Sequence, residues 1–307
     1  MRIIFMGTPD FAVPCLEKLI HSKHEIVAVF TQPDKKKGRG YTLTAPPVKE
    51  LALNHGIQVF QPESLKNQES LSLIASLKPD LIVVVAYGKI LPKNILDLPP
   101  LGCINVHGSL LPKYRGAAPI QWSVIRGEKI TGVTTMYMDE GLDTGDIILK
   151  SETKIGENET SGELFDRLSV MGAELLIKTL NEIETGNIVR EKQNDEIATY
   201  APMLNKSLAK INWSDSAEKI HNLVRGLNPW PVAMTAINNK NVKIYRTKVA
   251  ESLCGKPGEV KSMEPFIVAC GNNSAIEILE LQLESKKRMN SSDFFRGYKL
   301  NIGTILG

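Results

Sequence analysis

The stretch LIVVVAYG, Leu81–Gly88, constrains this chain most. An apolar run that never alternates with polar residues fits a strand covered on both faces, and such strands belong to parallel sheets sheathed in helices. Four further runs repeat the signal: RIIFMGT from Arg2, EIVAVFTQ from Glu25, IQVFQ from Ile57 and CINVHG from Cys103. Between the first two, Val13, Leu16, Leu19 and Ile20 recur at helical spacing. GVTTMYMD and DIILKSETKI follow in quick succession and read as strands closing the sheet edge. Thr160 and Glu163 then form a capping box, and Leu164, Leu168, Met171, Leu175 and Ile183 line one face of the helix it opens. Residues 1–200 are therefore expected to form an α/β domain, a Rossmann-like, mostly parallel sheet with helices on both faces.

The pattern changes after Tyr200. Residues 201–205 read as a linker and 206–307 as a second domain, in keeping with a chain of 307 residues. One helix is expected between Asp215 and Gly226, capped by the pair Asp215 and Glu218 and stopped at NPWP, Asn228–Pro231. VKIYRTKV, GEVKS, FIVAC and AIEILELQL then read as short strands joined by Gly and Asn turns. They suggest a C-terminal small β-barrel, OB-like, an architecture that often binds nucleic acid. Charge divides the same way. From Lys206 onward 15 Lys and Arg face 9 Asp and Glu, whereas the preceding residues carry 22 against 25. A second basic spot, TQPDKKKGRG, gathers Lys35, Lys36, Lys37 and Arg39. Such patches attract polyanions, although a charge run can also be simply a solvated surface.

Apolar residues at 42% and charged residues at 23% exclude a disordered or collagen-like chain. No apolar run reaches the roughly 18 residues a membrane span needs. The N-terminal MRIIFMG reads as a first strand rather than a leader. Cys15, Cys103, Cys254 and Cys270 show no metal-ligand spacing, so free thiols, no metal and a cytoplasmic location are expected.

GTPD, Gly7–Asp10, lacks the glycine and lysine pattern of a phosphate loop and reads as a strand-to-helix turn. The strongest constellation is NVHGSLLPKYRGAAP, Asn105–Pro119. Asn105 and His107 are two apart on one strand and share a face. They sit at the strand's carboxyl end, where open α/β sheets bind ligands. Asn offers an amide donor that can polarise a carbonyl, and His can move a proton near neutral pH. A carboxylate partner is expected from DEGLDTGDI, which supplies Asp139, Glu140, Asp143 and Asp146. Asp143, mid-loop between Gly141 and Gly145, is favoured, though spacing alone selects it weakly. No nucleophile elbow is present, so direct transfer fits better than a covalent intermediate.

NVHGSLLPKYRG with GLDTGDI downstream resembles the folate-dependent formyltransferases. Within them the chain is similar, over its whole length, to members that formylate a charged tRNA, as MGTPDFAVP, TQPDKKKGRG, VVVAYGKILP, AAPIQW and NPWP indicate. The resemblance implies a catalytic set of Asn105, His107 and Asp143. It implies folate contacts from Ser109, Leu110, Leu111 and Pro112. It implies a basic loop, Pro33–Pro47, reaching the tRNA acceptor end through Arg39 with Lys35, Lys36 and Lys37. The donor would be 10-formyltetrahydrofolate, the acceptor initiator Met-tRNA, and the β-barrel would help hold the tRNA. A metal-free monomer away from membranes is expected. An amino-sugar formyltransferase or a formyltetrahydrofolate hydrolase would use the same site logic.

Overall fold

The structure, a computed structural model, describes residues 1–37 and 42–307. They form two compact units. The first comprises Met1–Gly116, Thr131–Thr153 and Phe165–Tyr200; the second comprises Ala117–Ile130, Lys154–Leu164 and Ala201–Gly307.

In chain order the first unit begins with β1 (Arg2–Gly7), α1 (Val13–Ile20), β2 (Glu25–Phe30), β3 (Lys35–Lys37), β4 (Thr42–Thr44), α2 (Pro47–Asn54), β5 (Val59–Phe60), α3 (Gln68–Ser76), β6 (Leu81–Val85), α4 (Lys93–Leu96), β7 (Cys103–His107) and β8 (Arg115–Gly116). After α5 (Pro119–Ile125) come β9 (Ile130–Tyr137), β10 (Ile147–Lys154), α6 (Ser161–Thr185) and β11 (Tyr200–Ala201). The main sheet has the order β10-β9-β7-β6-β1-β2-β5. β1 runs parallel to β2 and β6, β2 to β5, and β6 to β7, while β9 is antiparallel to β7. The chain winds outward from β1 through β2 to β5, then returns to β6 and β7. Its direction of winding thus reverses beside β1, as the expected Rossmann-like sheet requires.

All five residues of β6 are buried, as are the last five of β1, so the apolar runs lie in the middle of the sheet. Ile4, Met6, Phe30, Ile74, Ile82, Tyr87 and Ile95 share one core cluster. The IQVFQ run yields only the two-residue β5, an edge strand with half-buried side chains. Three residues of the basic stretch form a strand. Lys35–Lys37 pairs antiparallel with Thr42–Thr44, and the side chains of Lys35 and Lys36 are exposed.

The second unit contains α7 (Ala217–Gly226), then β12 (Ala233–Ile237), β13 (Lys240–Ala250), β14 (Val260–Met263), β15 (Phe266–Cys270), β16 (Ser274–Leu283), β17 (Met289–Asn290) and α8 (Ser291–Gly297). The sheet order is β12-β13-β16-β15-β14, all antiparallel, with β17 added to β16. Asn238 and Asn239, at φ 49° and 62°, make a two-residue turn between β12 and β13. Asn tolerates that left-handed backbone, which suits the twist of a tight hairpin.

The last residues join the two edges of this sheet. Gly303 and Leu306 donate to Val260 O and Gly258 O beside β14, and Val260 donates to Thr304 O, each at 2.8 Å. Gly307 then donates to Ala236 O on β12 at 3.0 Å. The β domain therefore closes through its C-terminal segment, whose sequence shows no strand signal.

The Thr160–Glu163 capping box forms as expected, with Thr160 N donating to Glu163 Oε2 at 2.8 Å and Glu163 N to Thr160 Oγ1 at 3.2 Å. The cap expected on α7 is corrected by one residue. Ser216 is the N-cap, accepting from Lys219 N, whereas Asp215 pairs with the Lys219 ammonium at 2.6 Å. Both side chains can cap, and the neighbouring lysine takes the aspartate. Residues 156–162 belong to the second unit because α7 and the turn after it hold them. His221 Nε2 donates to Glu157 O, Arg225 to Gly156 O and Glu159 O, and Ser161 and Gly162 to Asn228 O.

Candidate active site at the carboxyl end of β7

β7 places Asn105 opposite Val84 on β6 and Met136 on β9, and His107 opposite Thr134 on β9. The two side chains share one face of the sheet, with His107 buried and Asn105 half-buried. Among the described residues the Asn105 amide has no hydrogen-bond partner, so its donors remain available to a substrate oxygen.

His107 Nε2 lies 2.9 Å from Tyr114 O. A carbonyl oxygen only accepts, so Nε2 carries the proton and Nδ1 holds the lone pair of the neutral ring. Nδ1 faces Asp143 Oδ2 at 3.7 Å. Of the four carboxylates in the loop, Asp143 is the one that reaches His107. Asp139 instead accepts from Gly141 N and Thr144 Oγ1 within the loop, and Glu140 faces Lys93 at 3.4 Å.

Two residues at this site hold left-handed backbone without being glycine: Tyr114 at φ 64° and Asp143 at φ 54°. Such conformations cost of order 1–3 kcal/mol and persist only where the surroundings enforce them. Tyr114 N donates to Thr199 Oγ1 at 2.9 Å, which turns its carbonyl toward His107. Asp143 is gripped by Gly116 N, which donates to Oδ2 at 2.8 Å. The flanking glycines permit the loop's close approach: a Cβ on Gly145 would stand 1.8 Å from Tyr137 O, and one on Gly141 1.9 Å from Thr144 Oγ1.

In the Ser109–Pro112 segment, Ser109 and Leu111 are buried while Leu110 and Pro112 are half-buried. Ser109 Oγ donates to Lys113 O at 2.7 Å, and Thr134 Oγ1 donates to Ser109 O at 2.6 Å, so the turn is braced against β9. Beside the Asp143 loop lies a cavity of about 560 Å³, lined by Leu96, Gly102, Tyr137, Met138, Asp139 and Glu140, among others. Arg190 stacks over the Tyr137 ring at 3.9 Å on its wall. The carboxylates of Asp97 and Glu140 hold the Lys93 ammonium above its usual pKa there.

Lys35, Lys36 and Lys37 stand together on β3, and Arg39 lies outside the described residues. Among the described residues no cluster of His, Cys, Asp and Glu could hold a metal, and no helix is long and apolar enough to cross a membrane. Arg115, Tyr114, Gln193 and Thr199 were not singled out by sequence. The first two lie inside the NVHGSLLPKYRG motif, whereas no local signal marks Gln193 or Thr199.

An unpaired amide and a carboxylate-backed imidazole thus stand together at a Rossmann-like strand end. The chain belongs to the formyl transferase family, whose model matches residues 1–180 and whose C-terminal domain model matches residues 203–299. Its relatives include proteins named methionyl-tRNA formyltransferase. That of Alkaliphilus oremlandii is 56% identical over 310 residues and that of Acetivibrio thermocellus 51% over 311, each match covering 100% of both chains. Among solved structures, the sugar 3N-formyl transferase WlaRD, determined with dTDP and 5-N-formyl-THF, superposes with a TM-score of 0.69 at 22% identity, covering 94% of this chain and 99% of that one. HypX from Aquifex aeolicus, in complex with tetrahydrofolic acid, gives 0.65 at 18% identity, covering 99% of this chain and 50% of that one. These two establish a shared fold.

Proposed function

We propose that this chain transfers the formyl group of 10-formyltetrahydrofolate to the α-amino group of methionine on initiator Met-tRNA. The observation that carries the reading is the pairing of an unpartnered Asn105 amide with His107 and Asp143 at one strand end, in a chain matching formyltransferases of that name from end to end.

The chemistry needs four acts. The amine attacks the formyl carbon as the neutral base, since an ammonium has no lone pair. Asn105 donates to the oxyanion of the tetrahedral intermediate, a contribution of roughly 2.7–4 kcal/mol where one such donor has been removed from a hydrolase. His107 takes the proton from the new ammonium at Nδ1, and the Asp143 carboxylate stabilises the resulting imidazolium. The proton passes to N10 as the C–N10 bond breaks, releasing tetrahydrofolate. Every bond change is balanced without a metal or a covalent enzyme intermediate.

The cavity beside the Asp143 loop is of a size to bury part of a folate. Exposed Lys243, Arg246 and Lys248 on β13, with Lys35, Lys36, Lys37 and Arg39, supply charge for the tRNA backbone. The protein acts as a cytoplasmic monomer on this reading.

The test is tetrahydrofolate release with Met-tRNA, a dTDP-amino sugar or water as acceptor. Release that requires Met-tRNA and yields formylmethionyl-tRNA supports the proposal. Equal release without any acceptor would make the protein a hydrolase, and release with the amino sugar alone would replace the acceptor.

A further inference from the structure

Asp143 is held from both ends by two adjacent residues. Gly116 N holds its carboxylate, as described above. Arg115, the residue before, reaches the Asp143 main chain through one intermediary, Gln193. Gln193 Nε2 donates to Asp143 O and to Gly145 O, each at 2.8 Å. Its Oε1 accepts from Arg115 Nε at 3.0 Å and from Nη2 at 2.8 Å. The amide thus spends both donor hydrogens and both acceptor lone pairs, the full capacity of the group.

Arg115 is itself fixed. The residue is 2% exposed, its Nη2 also meets Asp195 Oδ1 at 2.7 Å, and its main-chain N–H donates to Thr199 O at 2.8 Å. A buried guanidinium with this planar fork presents its donors in one orientation only. The orientation passes through Gln193 to the carbonyl of Asp143, a residue that must hold φ 54°.

We infer that Gln193, seated on the Arg115 guanidinium, is the positioning residue that sets where the Asp143 carboxylate stands against His107. The inference rests on the reading that Asp143 assists His107 in the transfer. It adds a residue 50 positions further along the chain that touches neither substrate nor the reacting atoms. With the carbonyls of 143 and 145 released, the left-handed backbone at Asp143 loses its main-chain hold, and Gly116 N alone no longer fixes the direction of its side chain toward Nδ1.

The decisive variant is Gln193→Glu. A glutamate keeps the paired contacts to Arg115 and so keeps the local packing, yet it replaces the donor nitrogen Nε2 by an oxygen that repels the two carbonyls. Steady-state kinetics with 10-formyltetrahydrofolate and Met-tRNA are measured for wild type, Q193E, D143N and the double variant, with thermal melts of each. The expected result for Q193E is a kcat at least about tenfold lower, both KM values within about threefold, and a melting temperature within a few degrees of wild type. On the D143N background Q193E should add less than about twofold, because residues acting as one unit are not additive. Gln193→Met removes the same donors without adding charge and carries the same expectation should Q193E fail to fold. An unchanged kcat in folded Q193E or Q193M would overturn the inference, as would an undiminished loss on the D143N background. If D143N alone turns over like wild type, the failure lies in the reading of Asp143 itself.

Discussion

His107 Nδ1 looks at Asp143 Oδ2 across 3.7 Å, while the other ring nitrogen donates to Tyr114 O at 2.9 Å. The first distance exceeds a hydrogen bond and the second is a good one. The ring is therefore anchored at Nε2 and open at Nδ1. A proton arriving at Nδ1 is met by a carboxylate already held in place by Gly116 N. The electrostatic reward thus comes only once the ring is charged, which is when the proposed transfer would need it.

The loop's shape should matter as much as its carboxylate. Gly145→Ala places a Cβ 1.8 Å from Tyr137 O, a backbone atom that cannot swing aside. The expected outcome is a destabilisation of about 1–3 kcal/mol or more, the usual cost of forcing atoms into a packed site, together with a fall in kcat. Denaturant unfolding and turnover measured on the same sample check it. A variant as stable and active as wild type would mean the loop relaxes freely.

The C-terminal segment should behave as core. Leu306 is 2% exposed within the cluster that holds Trp213, Ile244 and Val260, and its N–H bonds to Gly258 O. Leu306→Ala should cost about 2–5 kcal/mol, as other buried Leu→Ala changes do. Removing Gly303–Gly307 should cost more, since it also frees the edges at Val260 and Ala236. Thermal melts of the two variants provide the comparison, and a truncated chain melting with wild type would contradict the closure described.

His221 gives the second unit a dependence on pH. Burial lowers its pKa from the ordinary 6.5, against an opposing pull from its hydrogen bond to Glu157 O, and the nearby Arg225 lowers it further. Its Nδ1 accepts from Thr247 Oγ1 at 3.0 Å, a bond the neutral ring makes. The unfolded chain therefore binds this proton more readily than the folded one. Its stability contribution is complete above the ordinary value and is lost as pH falls below it. The melting-temperature gap between wild type and His221→Gln should accordingly narrow between about pH 7.5 and 5. A gap that stays constant or widens over that range would show that His221 is not kept neutral.

Much of this was readable along the chain. LIVVV announced a doubly covered strand, and Asn105 and His107 followed from period two on the next one. The Thr160–Glu163 box was visible because a capping signature is local. What was hidden depends on pairs far apart. Spacing favoured Asp143 among four carboxylates only weakly, because the carboxylate is held by Gly116 N, 27 residues away. Gln193 carries no motif, since its role exists only once Arg115, 78 residues earlier, lies beneath it. The strand Ala233–Ile237 hid behind the NPWP turn, and the closing segment 301–307 lacks the apolar alternation that marks strands. On α7, Asp215 and Ser216 are both good caps, and only the position of Lys219 separates them.

The most direct measurement of the central claim is the single-turnover rate of formyl transfer, read as formylmethionyl-tRNA formed by enzyme presaturated with 10-formyltetrahydrofolate and mixed with Met-tRNA. On the proposed reading, Asn105→Ala removes the oxyanion donor and His107→Ala the proton carrier. Each should slow this step by at least about 10²-fold while folate binding, measured by titration, stays within a few fold of wild type. A near-normal rate in either variant would contradict the account and remove that residue from the catalytic set.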